Sequence, residues 1–308
     1  MHTNELMFLK NLGLKNTTDL NQPTIIFDLS SYGLLCVNGA DAKKLLQGQL
    51  TCDVENIKNG KLCAHCNPQG RIISLFYLFQ HHETYYLLLP RNMIAMTASA
   101  LKKYAIFYKV SIEDVSDNFQ IIGASEKTAM QLAQHDALIN IAIFNGRAIF
   151  IGTTAALQSA ITNLSPTPFF ADKDLWKLAN IQAKIPHIYP ETSAVFLPHE
   201  LNLDKLNAID FEKGCYTGQE IIARMHYRGK LKNHLYQVEL KDGNTPIPGS
   251  PVYSEVNEGL KAVGNIVDVC KENDDHYFLL IVTDEESIKN NRLVLEHNRL
   301  LIATSLDG

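Results

Sequence analysis

The sequence predicts an α+β protein of more than one domain that ends in a small β-barrel or sandwich. Three observations lead to this class. At 308 residues the chain is too long for one ordinary domain. From residue 24 to residue 163, strand and helix patterns alternate with hairpin turns, as in modules whose helices cover one face of an antiparallel sheet. After Arg228-Gly229 short alternating strands dominate, separated by clusters of Gly, Pro, Asn and Asp.

The elements of the first third follow from hydrophobic period and turn chemistry. Gly39-Ala40-Asp41 opens an amphipathic helix. Asn67-Pro68-Gln69-Gly70 joins a hairpin, because proline presets φ and glycine permits a positive φ. In chain order we predict strands at 24–29 and 34–38, a helix from 39 to 50, hairpin strands at 61–66 and 72–79, a strand at 85–89, a helix at 92–104 and a strand at 107–112.

The rest of the chain carries the same kinds of signal. From 119 to 163 the pattern is strand, helix, hairpin, helix, and Asn145-Gly146 marks the hairpin turn. A proline-rich link at 165–168 leads into an amphipathic helix that carries Trp176, the single tryptophan. An irregular stretch follows from 186 to 207, and a loop of that length is usually functional. Barrel strands are predicted, after a boundary near residue 230, at 235–240, 251–255, 262–269, 277–282 and 293–296.

Charge and composition limit the function classes. A net charge of −5 argues against broad electrostatic binding of nucleic acid, which normally needs a basic face. The first 15 residues lack the apolar core of a signal peptide, and no window is long enough to span a membrane, so we expect a cytoplasmic protein without membrane contact. In that compartment its six cysteines should be reduced thiols. A local basic patch is formed by Lys213, Arg224, Arg228, Lys230 and Lys232.

The strongest candidate site lies between residues 210 and 220. Cys215 stands between Lys213 and a predicted helix start, where Thr217 and Glu220 have the spacing of a capping box. A nearby cation and the positive end of a helix both favour thiolate over thiol. The flanking glycines allow a ligand to approach the backbone closely. We therefore predict that Cys215 is a functional thiol, although most free cysteines are small buried hydrophobes.

Two other cysteine chemistries receive less support. A Cys/His hydrolase pair lacks a histidine at any diagnostic position. Cys63-Ala64-His65-Cys66, with Cys52 upstream, contains a C-x-x-C, but no second C-x-x-C completes four ligands. In a strand, Cys63 and Cys66 would also point to opposite faces. We predict no metal site, and iron or zinc binding by these three thiols stays an open alternative.

The segment Lys213-Gly214-Cys215-Tyr216-Thr217-Gly218-Gln219-Glu220 closely resembles the signature of the YgfZ family. This family comprises folate-binding proteins related to the T-protein of the glycine cleavage system. Further stretches resemble family blocks in the family's order and together cover most of residues 24–230. These stretches are 39–41, 47–54, 65–70, 101–107, 176–186 and 224–229.

The resemblance implies a fold, a ligand and a role. The fold is a T-protein-like three-domain ring. Two interleaved α+β domains would share residues 1–230, with switch points near 50, 117 and 195, and a C-terminal β-barrel would follow at 231–308. Tetrahydrofolate or a derivative would lie in the central hole. The implied role is in assembling or repairing iron–sulfur clusters, including those of enzymes that thiomethylate tRNA.

The same resemblance assigns site residues. The family's functional lysine and cysteine fall on Lys213 and Cys215. The family's aromatic folate contacts fall on Tyr32 and Trp176. We also predict folate contacts at Gln182, Tyr216, Arg224 and Arg228, and we expect Lys213, Arg224 or Arg228 to pair with the glutamate carboxylates of folate.

Four residues depart from related patterns. Tyr32 stands where the folate contact is typically tryptophan, which weakens the expected stacking. Gln182 stands where related proteins often carry a glutamate, so it can hydrogen-bond a pterin but supplies no charge. Ser74 and Leu75 stand where the T-protein has an acidic pair. That loss argues against aminomethyl transfer, because the methylene chemistry would use a carboxylate.

We therefore expect a tetrahydrofolate-binding accessory protein that works with iron–sulfur proteins or assembly factors. Whether it turns over a substrate as an enzyme is left open. One alternative is a folate-dependent one-carbon transferase of the aminomethyl type. Another is a non-enzymatic scaffold whose basic patch docks a partner protein or binds tRNA directly.

Overall fold

A computed structural model describes most of the chain. The described residues are 7–10, 12–55, 57, 60–229, 231–241, 243–256, 259–273, 275–290, 292–296 and 299–303. The helices are α1 (Met7–Lys10), α2 (Ala42–Gln49), α3 (Arg91–Ala105), α4 (Glu126–Leu132), α5 (Thr154–Thr162), α6 (Lys173–Gln182), α7 (Gln219–Arg228) and α8 (Glu285–Asn290).

Sixteen strands accompany these helices in the described part of the chain. They are β1 (Ile25–Asp28), β2 (Tyr32–Asn38), β3 (Lys61–Cys66), β4 (Ile72–His81), β5 (Thr84–Pro90), β6 (Ser111–Asp114), β7 (Gln120–Ala124), β8 (Ile139–Ala142), β9 (Ala148–Gly152), β10 (Phe169–Ala171), β11 (Asn233–Lys241), β12 (Pro251–Val256), β13 (Gly259–Asn273), β14 (His276–Asp284), β15 (Leu293–Leu295) and β16 (Arg299–Ala303).

The strands form two open sheets and a closed barrel. One sheet has the order β10-β1-β7-β9-β8, in which β1 pairs parallel with β10 and antiparallel with β7. The other open sheet has the order β3-β4-β5-β2-β6. The barrel has the order β11-β14-β13-β12-β15-β16, and pairing of β11 with β16 closes it. The predicted class, α+β with a C-terminal β-barrel, is confirmed.

Two compact units are distinguished within the chain. The first unit contains residues 1–47, 54–62 and 76–176, and the second contains residues 48–53, 63–75 and 177–308. In the first unit, α4 and α5 cover the sheet that contains β7 and β9, around a buried cluster that includes Phe150 and Leu157. The predicted domain boundary near 230 and the switch points near 50, 117 and 195 stay predictions.

The helix and hairpin signals of the sequence are largely reproduced. Thr153 caps α5 by accepting a hydrogen bond from the Ala156 N–H at 3.2 Å. The predicted turns at Asn67–Gly70 and Asn145-Gly146 both form, with φ of 74° at Gly70 and 62° at Asn145. The strand expected at 107–112 begins only at Ser111, and Phe107 is 80% exposed.

The irregular stretch after α6 is held by backbone hydrogen bonds within the second unit. The Ile72 N–H donates to the Phe196 carbonyl at 2.9 Å, and the Ala194 N–H donates to the Ile72 carbonyl at 2.7 Å. This stretch therefore runs beside the start of β4 as an ordered segment. Two short 3₁₀ turns, at Pro190–Thr192 and His199–Leu201, are its only helical parts among the described residues.

A buried carboxylate fastens α6 and this stretch to the barrel. Asp268 lies fully buried at a register shift in β13. Its carboxylate accepts a hydrogen bond from the Tyr189 hydroxyl at 2.6 Å, and the Lys177 Nζ and the His187 Nδ1 lie 3.0 Å and 3.2 Å from it. Burial alone would raise the pKa of Asp268, but His187, Lys177 and Tyr189 together hold it below its ordinary value.

Among the described residues, no helix combines the length and apolar character needed to cross a membrane.

Candidate functional site

The segment from residue 210 to residue 218, which we call the signature loop, is tied down at its start by Asp210. The Asp210 carboxylate accepts hydrogen bonds from the backbone N–H groups of Glu212 (2.9 Å) and Lys213 (3.0 Å). The Asp210 N–H itself donates to the Thr51 carbonyl at 2.8 Å. An aspartate that bonds the backbone two and three residues ahead makes a tight local turn. That turn directs Lys213 back towards residues 50–52.

Lys213 anchors the middle of the signature loop. Its ammonium donates to the carbonyl oxygens of Leu50 and Cys52, both at 2.7 Å, and lies 5.0 Å from the centre of the Tyr216 ring. Burial lowers the pKa of Lys213, and the neighbouring Cys63, Cys52, Asp53 and Asp210 oppose that effect. Lys213 therefore works as a structural clamp on the loop.

Three buried thiols lie behind this clamp, and we call Cys52, Cys63 and Cys66 the thiol cluster. Burial alone would raise the pKa of Cys63, but hydrogen bonds from Cys52, the charge of Lys213 and a hydrogen bond from Thr51 hold it below its ordinary value. Burial and the nearby Cys63 raise the pKa of Cys66. The cluster thus contains one thiol with a lowered pKa and one with a raised pKa, and both are shielded from solvent.

The predicted capping box at the start of α7 is wrong. The N-cap of α7 is Gly218, in the left-handed region, and no side chain caps the helix. The Thr217 hydroxyl instead donates to Gln49 Oε1 at 3.2 Å, and the Thr217 N–H donates to the Gly48 carbonyl at 3.1 Å. The hydroxyl and the N–H of Thr217 are therefore hydrogen-bonded to residues at the end of α2 and do not cap α7.

Replacing Gly218 by alanine is expected to lower the free energy of unfolding by about 2 kcal/mol or more. The φ of Gly218 is +85°, and an added Cβ would lie 2.6 Å from the Asn67 carbonyl oxygen and 3.0 Å from Gly70 Cα. Gly214→Ala is the matched control, because a Cβ there meets nothing within 4 Å. Urea denaturation of both variants measures the difference. Equal losses in the two variants would show that close packing at Gly218 has no special role.

Cys215 is the exposed cysteine of the second unit. The thiols of Cys52, Cys63, Cys66 and Cys270 are buried, and Cys36, in the first unit, is half-buried. The structure thus places a fixed lysine two residues before an accessible thiol. Tyr216, the next residue, is buried and points the loop inward, and burial raises its pKa.

The other predicted contacts of the second unit are exposed. Gln182 ends α6 with an exposed side chain, and Arg224 and Arg228 are exposed on α7. Lys230 of the predicted basic patch lies outside the described residues. The predicted folate contacts of this unit therefore divide into a buried Tyr216 and three solvent-facing side chains.

In the first unit, Tyr32 and Trp176 are both buried, with exposures of 8% and 2%. The Trp176 ring is enclosed by the edge of Phe27 (5.1 Å between centroids), by Gly123, where a Cβ would come within 2.6 Å, and by the Arg147 guanidinium at 4.6 Å. Its Nε1–H is buried and finds no acceptor among the described residues. Trp176 therefore has a free hydrogen-bond donor but no open ring face.

Arg147 is a buried cation beside two of the predicted folate contacts, and the sequence did not reveal it. It is 8% exposed, and burial lowers its pKa to about 10, against the opposite effect of the Tyr77 and Tyr32 phenols. It follows the Asn145-Gly146 turn directly, which gives no hint of burial in the sequence. We call Arg147, Tyr32, Tyr77 and Trp176 the Arg147 cluster.

Tyr32 also borders a small cleft with a cavity volume of about 10 Å³, lined by Leu29, Ser30, Arg91, Phe119, Gln120 and Ile121. Drug-sized ligands occupy pockets of roughly 300–1,000 Å³, so this cleft alone does not hold a folate.

Ser74 and Leu75, at the positions of the T-protein's acidic pair, are buried on β4. The Ser74 hydroxyl has no hydrogen-bond partner among the described residues. No group of three His, Cys, Asp or Glu side chains in the described ranges is arranged to hold a metal ion.

Comparison with curated proteins finds relatives along most of the chain. An uncharacterised protein of Haemophilus influenzae is 35% identical over 242 residues, which cover 77% of this chain and 81% of that protein. Proteins described as tRNA-modifying protein YgfZ are 31% identical over 282 residues in Yersinia pestis (86% of each chain) and 29% identical over 284 residues in Aliivibrio fischeri (89% of each chain). No protein-family model matches the chain.

Among solved structures, glycine cleavage system aminomethyltransferase T from Bartonella henselae superposes with a TM-score of 0.69. The match covers 96% of this chain and 87% of that chain at 13% sequence identity. At such low identity the likeness establishes the fold alone, which is that of the T-protein.

Proposed function

The chain belongs to the YgfZ family, and we propose that it is a tetrahydrofolate-binding accessory protein that supports iron–sulfur enzymes, including those that thiomethylate tRNA. The observation that carries the proposal is the signature loop. Lys213 is bonded to two backbone carbonyls and so holds the loop in one position, with the Cys215 thiol accessible to solvent. A thiol presented in this way can meet a one-carbon adduct or a sulfur or iron species.

Support for a pterin ligand comes from the Arg147 cluster of the first unit. A pterin edge offers ring nitrogens and a carbonyl as acceptors, and Trp176 has a buried N–H donor with no acceptor among the described residues. The Arg147 guanidinium presents a rigid fork of N–H donors beside it. Since Arg147 already covers the indole, we propose that these donors bind the pterin edge and that stacking on Trp176 is not used. Bound tetrahydrofolate would supply the nitrogen atoms that carry a one-carbon unit.

The glutamate tail of folate should contribute little affinity through Arg224 and Arg228. Both side chains are exposed, and an exposed ion pair is worth about 0–1 kcal/mol. In the second unit, Tyr216 and Gln182 remain proposed contacts. Affinity should therefore depend mainly on the pterin.

Aminomethyl transfer is the alternative that the fold suggests. It receives less support, because the side chains of Ser74 and Leu75 supply no carboxylate. An assay for methylene transfer from an aminomethyl donor to tetrahydrofolate separates the two functions. Turnover by the purified chain would favour the transferase.

Complementation tests the role of the thiol. In bacterial cells that lack their own YgfZ protein, the chain with Cys215→Ala is expected to leave thiomethylated tRNA at the level of the empty vector. The matched variant Cys36→Ala, which alters a half-buried cysteine of the first unit, should restore it fully. Full restoration by Cys215→Ala would remove the thiol from the proposal, and failure of the unmodified chain would contradict the accessory role.

A further inference from the structure

One exposed surface of the second unit contributes little to the proposed affinity for folate. Arg224, Tyr227 and Arg228 are three and four residues apart on α7, so their side chains share one face of the helix. Lys232 follows just after the end of the helix and is also exposed. We call these four residues the α7 basic face.

The cations of this face are available to a ligand. Among the residues that the structure describes, Arg224 and Arg228 take part in no ion pair and no side-chain hydrogen bond. The closest acidic position on the helix is Glu220, one turn before Arg224, and it makes no ion pair with either arginine. Two unengaged guanidinium groups on one helix face attract a polyanion more readily than a single carboxylate.

A row of three aromatic rings in contact, which we call the aromatic ladder, ends at the same face. The Phe211 and His226 rings are stacked, with centroids 3.7 Å apart and planes at 16°. His226 in turn meets the Tyr227 ring edge-on at 4.8 Å. Tyr227 ends the ladder with 67% of its surface exposed, between the two arginines. The ladder fixes the tyrosine while leaving a ring available to solvent.

We propose that the α7 basic face binds a single-stranded segment of RNA, with a base stacked on Tyr227 and phosphates bound by Arg224, Arg228 and Lys232. An exposed aromatic flanked by cations is the arrangement that recognises unpaired bases, because every base has a π-face. Duplex RNA hides its bases in the stack and would leave Tyr227 unused. An acidic protein would satisfy the arginines but would not need the ring. This inference goes beyond the proposed function, in which RNA is reached only through other enzymes.

The test is fluorescence anisotropy with a labelled unmodified tRNA transcript and the purified full chain, without folate. Tyr227→Ala is expected to weaken binding about tenfold, and Tyr227→Phe to restore it, since phenylalanine keeps the stacking ring. Arg224→Gln with Arg228→Gln should weaken binding at least about tenfold and reduce the slope of log affinity against log salt by about 1.4. The matched control is Lys102→Gln with Lys103→Gln, two exposed lysines at the end of α3, which should change the affinity less than twofold.

Three results would overturn the proposal. They are equal loss in the α7 and α3 double variants, equal affinity for the transcript and for a duplex of the same length, and an affinity unaffected by Tyr227→Ala. Tyr227→Ala should keep its affinity for monoglutamyl tetrahydrofolate within about twofold, because Tyr227 is not among the proposed folate contacts. Equal loss of folate and RNA binding in Tyr227→Ala would show that the substitution disturbs the fold and would overturn the assignment of a base-stacking role to this ring. Failure of RNA binding alone would leave the folate proposal standing.

Discussion

Replacing Lys213 by methionine is expected to lower the free energy of unfolding by about 2–4 kcal/mol. Methionine keeps the unbranched apolar stem but removes the ammonium, so the carbonyls of Leu50 and Cys52 lose their donor. Each buried polar group left without a partner costs about 1–3 kcal/mol. Urea denaturation measures the loss. Lys241→Met, at an exposed position of the same unit, should change the free energy of unfolding by less than about 0.5 kcal/mol.

The same substitution should release the signature loop. Amide hydrogen exchange of residues 210–217 is expected to speed up in Lys213→Met, while exchange in the barrel strands stays as in the unmodified protein. Unchanged exchange in the loop would contradict the clamp role of Lys213. If the loop loosens, the variant should also fail in the complementation assay although Cys215 is intact.

Replacing Asp268 by asparagine is expected to lower the free energy of unfolding by about 3–5 kcal/mol. The asparagine leaves Lys177 and His187 without their buried counter-charge, and breaking a buried pair on one side is strongly destabilising. Asp275→Asn, at an exposed turn between β13 and β14, is the matched control with the same change of charge. A loss below about 1 kcal/mol for Asp268→Asn would show that this anchor contributes little.

The contribution of Asp268 to the free energy of unfolding should decrease at acidic pH. Its pKa is lowered in the folded state, so its contribution is fully present above the unfolded pKa of about 3.9 and is lost as pH falls through the folded value. The difference between the unmodified protein and Asp268→Asn should therefore be constant near neutral pH and shrink below about pH 4. A difference that grows as pH falls in this range would reverse the assigned sign.

The parts of the fold that depend on local signals were predictable. The turns at Asn67–Gly70 and Asn145-Gly146 were predictable, because glycine and asparagine permit a positive φ. The barrel strands were predictable, because their alternating apolar residues and their turn residues recur at short spacing. The start of α7 was not, because Gln49 and Gly48, about 170 residues earlier, engage Thr217.

The candidate site shows the same division. The composition of residues 213–220 identified Lys213 and Cys215 directly, but the task of Lys213 depends on carbonyls at residues 50 and 52. Arg147 was missed for two reasons. Arginine is almost never fully buried, and the groups around it come from three distant parts of the chain. The sequence shows that residue 147 is a cation, but only the structure shows that its side chain is buried.

Calorimetric titration of the purified chain with tetrahydrofolate measures directly whether this protein binds folate. We expect saturable binding of one folate per chain, weakened at least about tenfold by Arg147→Lys, since a lysine does not reproduce a stacked, planar fork of donors. Arg292→Lys, an exposed arginine of the second unit, should bind as the unmodified chain does. An absence of saturable binding to the unmodified, folded chain would contradict the claim that this protein binds folate.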